Sequence, residues 1–164
     1  IAEECRVIRQ HGMRRRYYHD ELGFNFRMTD VHAAIGLEQL KKLDNWNEQR
    51  RTNAHYLSAH LQGVNVPRAE EGYEHIYHQY TVRIHDGKRD LLRTFLQENG
   101  VGSEVYYPVP VHKQSFYMTE LGYQVTLPEA ELAALEVLSL PVHPALSQSD
   151  LELIVAKVNE FSAL

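Results

Sequence analysis

Cysteine is nearly missing from this chain. Cys5 stands alone, so no internal disulfide can form, and a reducing compartment is expected, with the cytoplasm as the default location. Long apolar runs are missing too. Nothing approaches the roughly 20 residues that a membrane-spanning helix requires, so no membrane segment is expected. The opening stretch Ile1 to Gln10 carries Glu3 and Glu4 where an export leader would carry basic residues, and no apolar core follows them. A positive charge surplus is also absent. Lys and Arg number 17 against 22 Asp and Glu, a net charge of -5. That balance gives no electrostatic reason to bind nucleic acid or an acidic membrane. Small molecules and proteins are the expected partners.

The self-contained catalytic motifs are missing as well. There is no Walker or dinucleotide-type glycine loop and no Gly-x-Ser-x-Gly elbow. Of the ten histidines, His75 and His78 lie closest together. On an expected strand, residues three apart point to opposite faces, so no metal site is expected there. Arg14 to Arg16 beside Tyr17 and Tyr18 form a basic aromatic patch, but Asp20, Glu21 and Asp30 stand close by and no nucleic-acid module accompanies it.

What is present is an ordinary globular composition, 43% hydrophobic and 24% charged over 164 residues, enough for one domain or a domain with an appendage. The chain opens on Ile within a helical pattern and with no cap before it, which leads to the expectation of a piece of a longer protein. Ala2 to Gln10 reads as the end of a helix leaving through Gly12. Met13 to Phe26 has no apolar period and reads as an extended loop, and a loop of that length usually has a function. Thr29 suits a helix N-cap and Asp30 the first turn. The stripe Ala33, Leu37, Leu40, Leu43, Trp46, Ala54, Leu57, Leu61 then predicts one long helix, or two nearly collinear ones, with Gly36 tolerated for close packing.

Ile76 to Ile84 alternates and predicts a strand with Ile76, His78, Tyr80, Val82 and Ile84 on one face. A helix from Lys88 to Glu98 follows, burying Leu91, Leu92, Phe95 and Leu96. Val101 to Tyr106 and Val137 to Leu140 read as strands, Glu129 to Glu136 as a helix, and Ser149 as the cap of a last helix through Phe161. This order predicts an α/β or α+β fold, a small sheet packed against helices and preceded by a long helix. Two segments remain for chemistry, Gly23 to Met28 and Tyr106 to His112. By residue physics alone Asn25 suits a turn or cap and His112 a packed loop position.

The string GFNFRMTDVHAAIGLEQLKKLDNWNEQRR closely resembles the carboxy-terminal half of the DegT/StrS sugar aminotransferases, which use pyridoxal 5'-phosphate (PLP) on the fold-type I scaffold. His11-Gly12, Asn25-x-Arg27-Met28, His78-x-Tyr80, Tyr107-Pro108-x-Pro110-x-His112, Leu138 to Pro141 and His143-Pro144 extend the likeness over nearly the whole chain. The resemblance implies residues 1–28 as the end of a large domain with an inter-subunit active-site loop. It implies residues 29–164 as the carboxy-terminal small domain, including the long connecting helix.

By the same resemblance, Asn25 reaches the cofactor phosphate of a neighbouring subunit in a homodimer. Arg27 anchors the loop or meets substrate phosphate, and Tyr107 and His112 line the sugar side. The lysine that anchors PLP belongs to an amino-terminal domain, and Lys41, Lys42, Lys88, Lys113 and Lys157, the lysines here, do not stand at its place. The chain alone is therefore expected to be inactive. In the intact enzyme, glutamate would supply the amino group for a keto nucleotide-sugar used in polysaccharide or antibiotic sugar biosynthesis. A sugar dehydratase of the same family, and a non-catalytic dimerisation or regulatory remnant with Ala33 to Leu40 as interface, stand as alternatives.

Overall fold

The computed structural model describes all 164 residues. They form two compact units, Ile1–Asp44 and Asn45–Leu164.

In the first unit, α1 (Ala2–Ile8) has Glu3 and Glu4 in its first turn and Arg6 in its last, each favoured by the helix dipole there. The chain turns back through His11 and Gly12, both at positive φ. The segment read as an extended loop contains a hairpin, β1 (Met13–Arg15) antiparallel to β2 (Tyr18–His19). Strands of three and two residues with mostly exposed side chains carry no readable period, which is why the pattern missed them.

The chain then pairs with the exit of α1. His11 N–H donates to Phe24 O (2.9 Å), Phe24 N–H to Ile8 O (2.7 Å) and Phe26 N–H to Arg9 O (3.0 Å), with Gln10 and Asn25 as an antiparallel bridge. Two glycines make this approach possible. A Cβ on Gly23 would fall 1.9 Å from Gly12 N, and one on Gly12 would fall 1.8 Å from Glu21 O. Arg14 adds ion pairs to Glu4 and Glu21, and these carboxylates raise its already high pKa.

Helix α2 (Asp30–His60) is continuous over 31 residues. Thr29 Oγ1 accepts the His32 N–H, as expected of an N-cap. The polar stretch Asn47 to Asn53 holds no Gly or Pro, so nothing in it stops the helix. Its amino-terminal stripe stays open to solvent, Leu37 and Leu40 being 62% exposed. Nothing lies within 4 Å of a Cβ built on Gly36, so the close packing expected at that residue is not made within this chain.

The second unit is built on β3 (Tyr80–Arg83), antiparallel to β4 (Val137–Leu140) in the register Tyr80 to Leu140 through Arg83 to Val137. The strand predicted from Ile76 starts four residues late. Tyr77 takes a positive φ, which breaks the alternation: Tyr77 is buried while Ile76 and His78 face solvent. Val101 to Tyr106, also predicted as a strand, contributes one bridge, Glu104 with Ser139, since Gly102 interrupts its run of sheet-favouring residues.

Around this ribbon lie α3 (Arg89–Glu98), α4 (Ser115–Thr119), α5 (Pro128–Glu136) and α6 (Gln148–Ser162). On α3, Leu92 and Leu96 are buried one turn apart, whereas Leu91, expected inside, is mostly exposed. The core joins Ala54 and Leu57 of α2, Tyr80 and Val82 of β3, Leu138 and Leu140 of β4, Leu92 and Leu96 of α3, and Leu151, Ile154 and Val158 of α6. The cap of α6 is Ser147 rather than Ser149. A capping box needs an acid three residues on, and Asp150 supplies it, its carboxylate accepting the Ser147 N–H at 2.8 Å. No helix is long and apolar enough to cross a membrane.

Candidate functional site

Asn25 and Arg27 lie in the first unit, on the segment pinned to residues 8–11. Alternate side chains of an extended segment point to opposite faces. Phe24 and Phe26 stack with ring centroids 4.9 Å apart, while the exposed Asn25 carboxamide makes no hydrogen bond within the chain. Its backbone is held by the bridge to Gln10, so a free amide is presented from a fixed strand-like segment. Arg27 is exposed, has no ion pair in the chain, and lines a cavity of about 390 Å³ with Arg9, Gln10, Phe26 and Met28. Arg9, which the sequence reading passed over, is likewise without a carboxylate.

Tyr107 and His112 lie in the second unit and line one cavity, about 800 Å³, with Tyr106, Tyr123, Leu127 and Val137. Its walls are mainly apolar, and His112 and Gln114, the latter donating to Val109 O at 3.2 Å, are polar groups fixed in them. A single 3₁₀ turn, Val111–Lys113, carries that histidine, which is buried. Its Nε2 lies 3.0 Å from Glu131 Oε1 on α5. The Glu131 carboxyl is pulled from 4.5 down to about 2, first by the hydrogen bond from His112, then by the Leu127 N–H, with Lys113 adding to both. It is therefore a carboxylate at neutral pH and accepts a proton-bearing Nε2. In the neutral ring this leaves Nδ1 as an acceptor.

Glu131 was not singled out from the sequence. Its place in the first turn of a helix was legible, but a partner nineteen residues away in a loop was not.

His75 and His78 do not share a strand, so the argument from opposite faces does not apply to them. His75 Nδ1 instead accepts the Tyr77 N–H at 2.8 Å, and no three His, Cys, Asp or Glu side chains gather as a metal cluster. Among the lysines, Lys41 pairs with Glu38, Lys113 with Glu131 and Lys157 with Glu160, each within its own unit. For a phosphate-bearing cofactor, the first unit offers the Asn25 amide and the Arg27 and Arg9 guanidiniums, donors without a side-chain partner in the chain.

Comparison with known proteins finds similarity over nearly the whole chain. A "Pleiotropic regulatory protein" of Geobacillus stearothermophilus is 44% identical, matching 98% of this chain and 44% of its own length. The dTDP-3-amino-3,4,6-trideoxy-alpha-D-glucose transaminase of Streptomyces venezuelae is 36% identical over 99% of this chain and 43% of its own. The crystal structure of S. venezuelae DesV superposes with a TM-score of 0.88 at 36% identity, covering 99% of this chain and 44% of DesV. The chain thus spans less than half the length of the relatives it matches. Residues 1–159 match a single family description, and on that match the chain belongs to the DegT/DnrJ/EryC1/StrS aminotransferase family.

Proposed function

We propose that this chain is the carboxy-terminal part of a PLP-dependent aminotransferase of fold type I that moves the amino group of glutamate to a keto nucleotide-sugar. In this reading residues 1–28 close a large domain and carry an inter-subunit loop, and residues 29–164 are the small domain with its connecting helix. The observation that carries it is the free Asn25 carboxamide on a backbone-pinned segment, within a family match that runs from residue 1 to 159.

PLP, when bound, supplies an electron sink for the bonds at the amino-bearing carbon. The residues of this chain bind and orient. Asn25 donates an amide N–H to a phosphate oxygen of the neighbouring subunit's cofactor, and Arg27 meets the substrate phosphate, its guanidinium being uncommitted. Tyr107 supplies an apolar and hydroxyl-bearing wall for the sugar. His112, held at Nε2 by Glu131, offers Nδ1 to a sugar hydroxyl. The covalent lysine comes from an amino-terminal domain, so the chain alone is expected not to transaminate. The exposed stripe of α2 and the aromatic-rich hairpin segment supply apolar surface for the second subunit of a homodimer.

The test uses the protein in which this chain follows a lysine-bearing amino-terminal domain. Glutamate-dependent amination of a keto nucleotide-sugar is expected, and Asn25→Ala is expected to weaken PLP retention. Unchanged cofactor affinity in that variant would remove the cross-subunit role. A regulatory reading has one observation in its favour, the name of the Geobacillus relative. It predicts no amination from the same protein.

A further inference from the structure

Helix α5 turns acids toward the rest of the chain and leucines toward solvent. The Glu136 carboxylate, 10% exposed, accepts from Arg83 at 2.7 Å and lies 2.9 Å from His85 Nδ1. Glu131 is held by His112 and by the Leu127 N–H. The remaining acid, Glu129, stands in the first turn, where the helix dipole favours it. Between these acids the helix is alanine and leucine. Ala130 and Ala133 line the Tyr107 cavity, and Ala134 is buried. Leu132 and Leu135, three residues apart and so neighbours on the helix surface, are 44% and 63% exposed. A surface helix carries its polar residues outward, and one that is hydrophobic all round belongs in an interior. The Leu132 and Leu135 face is therefore one that another body covers.

We propose that this face docks the amino-terminal domain of the longer protein. The docking rests on the function proposed above in one respect, that such a domain precedes this chain. The solved DesV chain has more than half its length outside the part matched here, which is ample for a further folded body. A domain joined in the same polypeptide is held at about millimolar effective concentration, so a face turned to it stays covered in every molecule. Faces covered for good are apolar and short of charge, and the two residues between Leu132 and Leu135 are alanines. The second subunit has its own apolar surface in that reading, the stripe of α2.

The experiment introduces Leu132→Cys or Leu135→Cys on a Cys5→Ser background. Maleimide labelling is followed in the chain alone and in the protein that carries the amino-terminal domain, each rate divided by that of the same variant in urea. Labelling is expected to be roughly tenfold slower, or more, in the longer protein. Leu135→Glu carries the test if a cysteine variant fails to fold. It should leave the chain alone melting as the wild type does and lower the melting temperature of the longer protein by several degrees, because there the charge is buried. Equal labelling in the two proteins, or equal melting of Leu135→Glu and wild type in the longer one, would overturn the proposal. So would protection that is present in the chain alone and grows with its concentration, which would assign the face to a second copy. Labelling needs no turnover, so a longer protein that protects both thiols and does not aminate sinks the functional reading and leaves the docking face standing.

Discussion

His112 Nε2 and Glu131 Oε1 lie 3.0 Å apart, tying a one-turn loop to the first turn of α5. The bond helps hold the Glu131 carboxyl at about 2 against an ordinary 4.5. A carboxyl whose folded pKa is depressed stabilises the fold above its unfolded value and loses that contribution as pH falls through the folded one. Glu131→Gln should therefore melt below the wild type at neutral pH, with the gap narrowing from pH 4.5 downward and closing near pH 2. Thermal melts across this range check it. A gap that stays constant would mean that the charge contributes nothing.

The Tyr80 hydroxyl is buried 2.8 Å from Ser58 Oγ, and burial pushes its pKa from 10.0 up to about 12. The neutral phenol is the form the fold favours, so its contribution is complete below pH 10 and is lost as pH rises through about 12. Tyr80→Phe is expected to cost about 1 kcal/mol at neutral pH by leaving Ser58 unpaired. It should also make alkaline unfolding shallower, read as urea midpoints at rising pH.

Gly23 and Gly36 should respond to alanine with opposite signs. At Gly23 the new Cβ meets the Gly12 backbone nitrogen at 1.9 Å, and backbone cannot step aside. A loss of roughly 3 kcal/mol or more in the stability of the first unit is expected, with faster tryptic cleavage at Arg14 to Arg16. At Gly36 nothing is within 4 Å, so alanine should stabilise the helix of this chain by roughly 0.5 to 1 kcal/mol. If the same change weakens a dimer of the longer protein, the small-residue face of α2 is where the second subunit packs.

Ser147→Ala removes the cap of α6 and should cost about 1 kcal/mol. Ser149→Ala removes a contact between two exposed hydroxyls, 2.9 Å apart, and is expected to stay within about 0.5 kcal/mol. Urea denaturation of the two variants side by side separates them. Equal losses would return the cap to Ser149.

Much of the fold was legible in short-range pattern. Thr29 announced the start of α2, Asn99-Gly100 the end of α3, and the branched run at Val137 the strand β4, because caps, glycine exits and apolar runs act over a few residues. The hairpin at Met13 to His19 was not, since strands so short leave no period to count. The strand face assigned to Ile76 and His78 failed for a related reason. The backbone takes a positive φ at Tyr77, which is buried while Ile76 and His78 on either side of it are exposed, and alternation alone does not reveal the backbone angle that breaks it.

The candidate site divides along the same line. Asn25, Arg27, Tyr107 and His112 could be named from the string of letters, since each stands in a local motif that the family resemblance carries. Glu131 beside His112 and the uncommitted Arg9 near Arg27 could not. Those arrangements join residues far apart in the chain. Chain order by itself therefore determined the helix and strand types, the family resemblance and the residues to suspect. Tertiary structure decided which side chains are already engaged and which remain free to bind, because that is set by distances of about 3 Å between groups that only folding brings together.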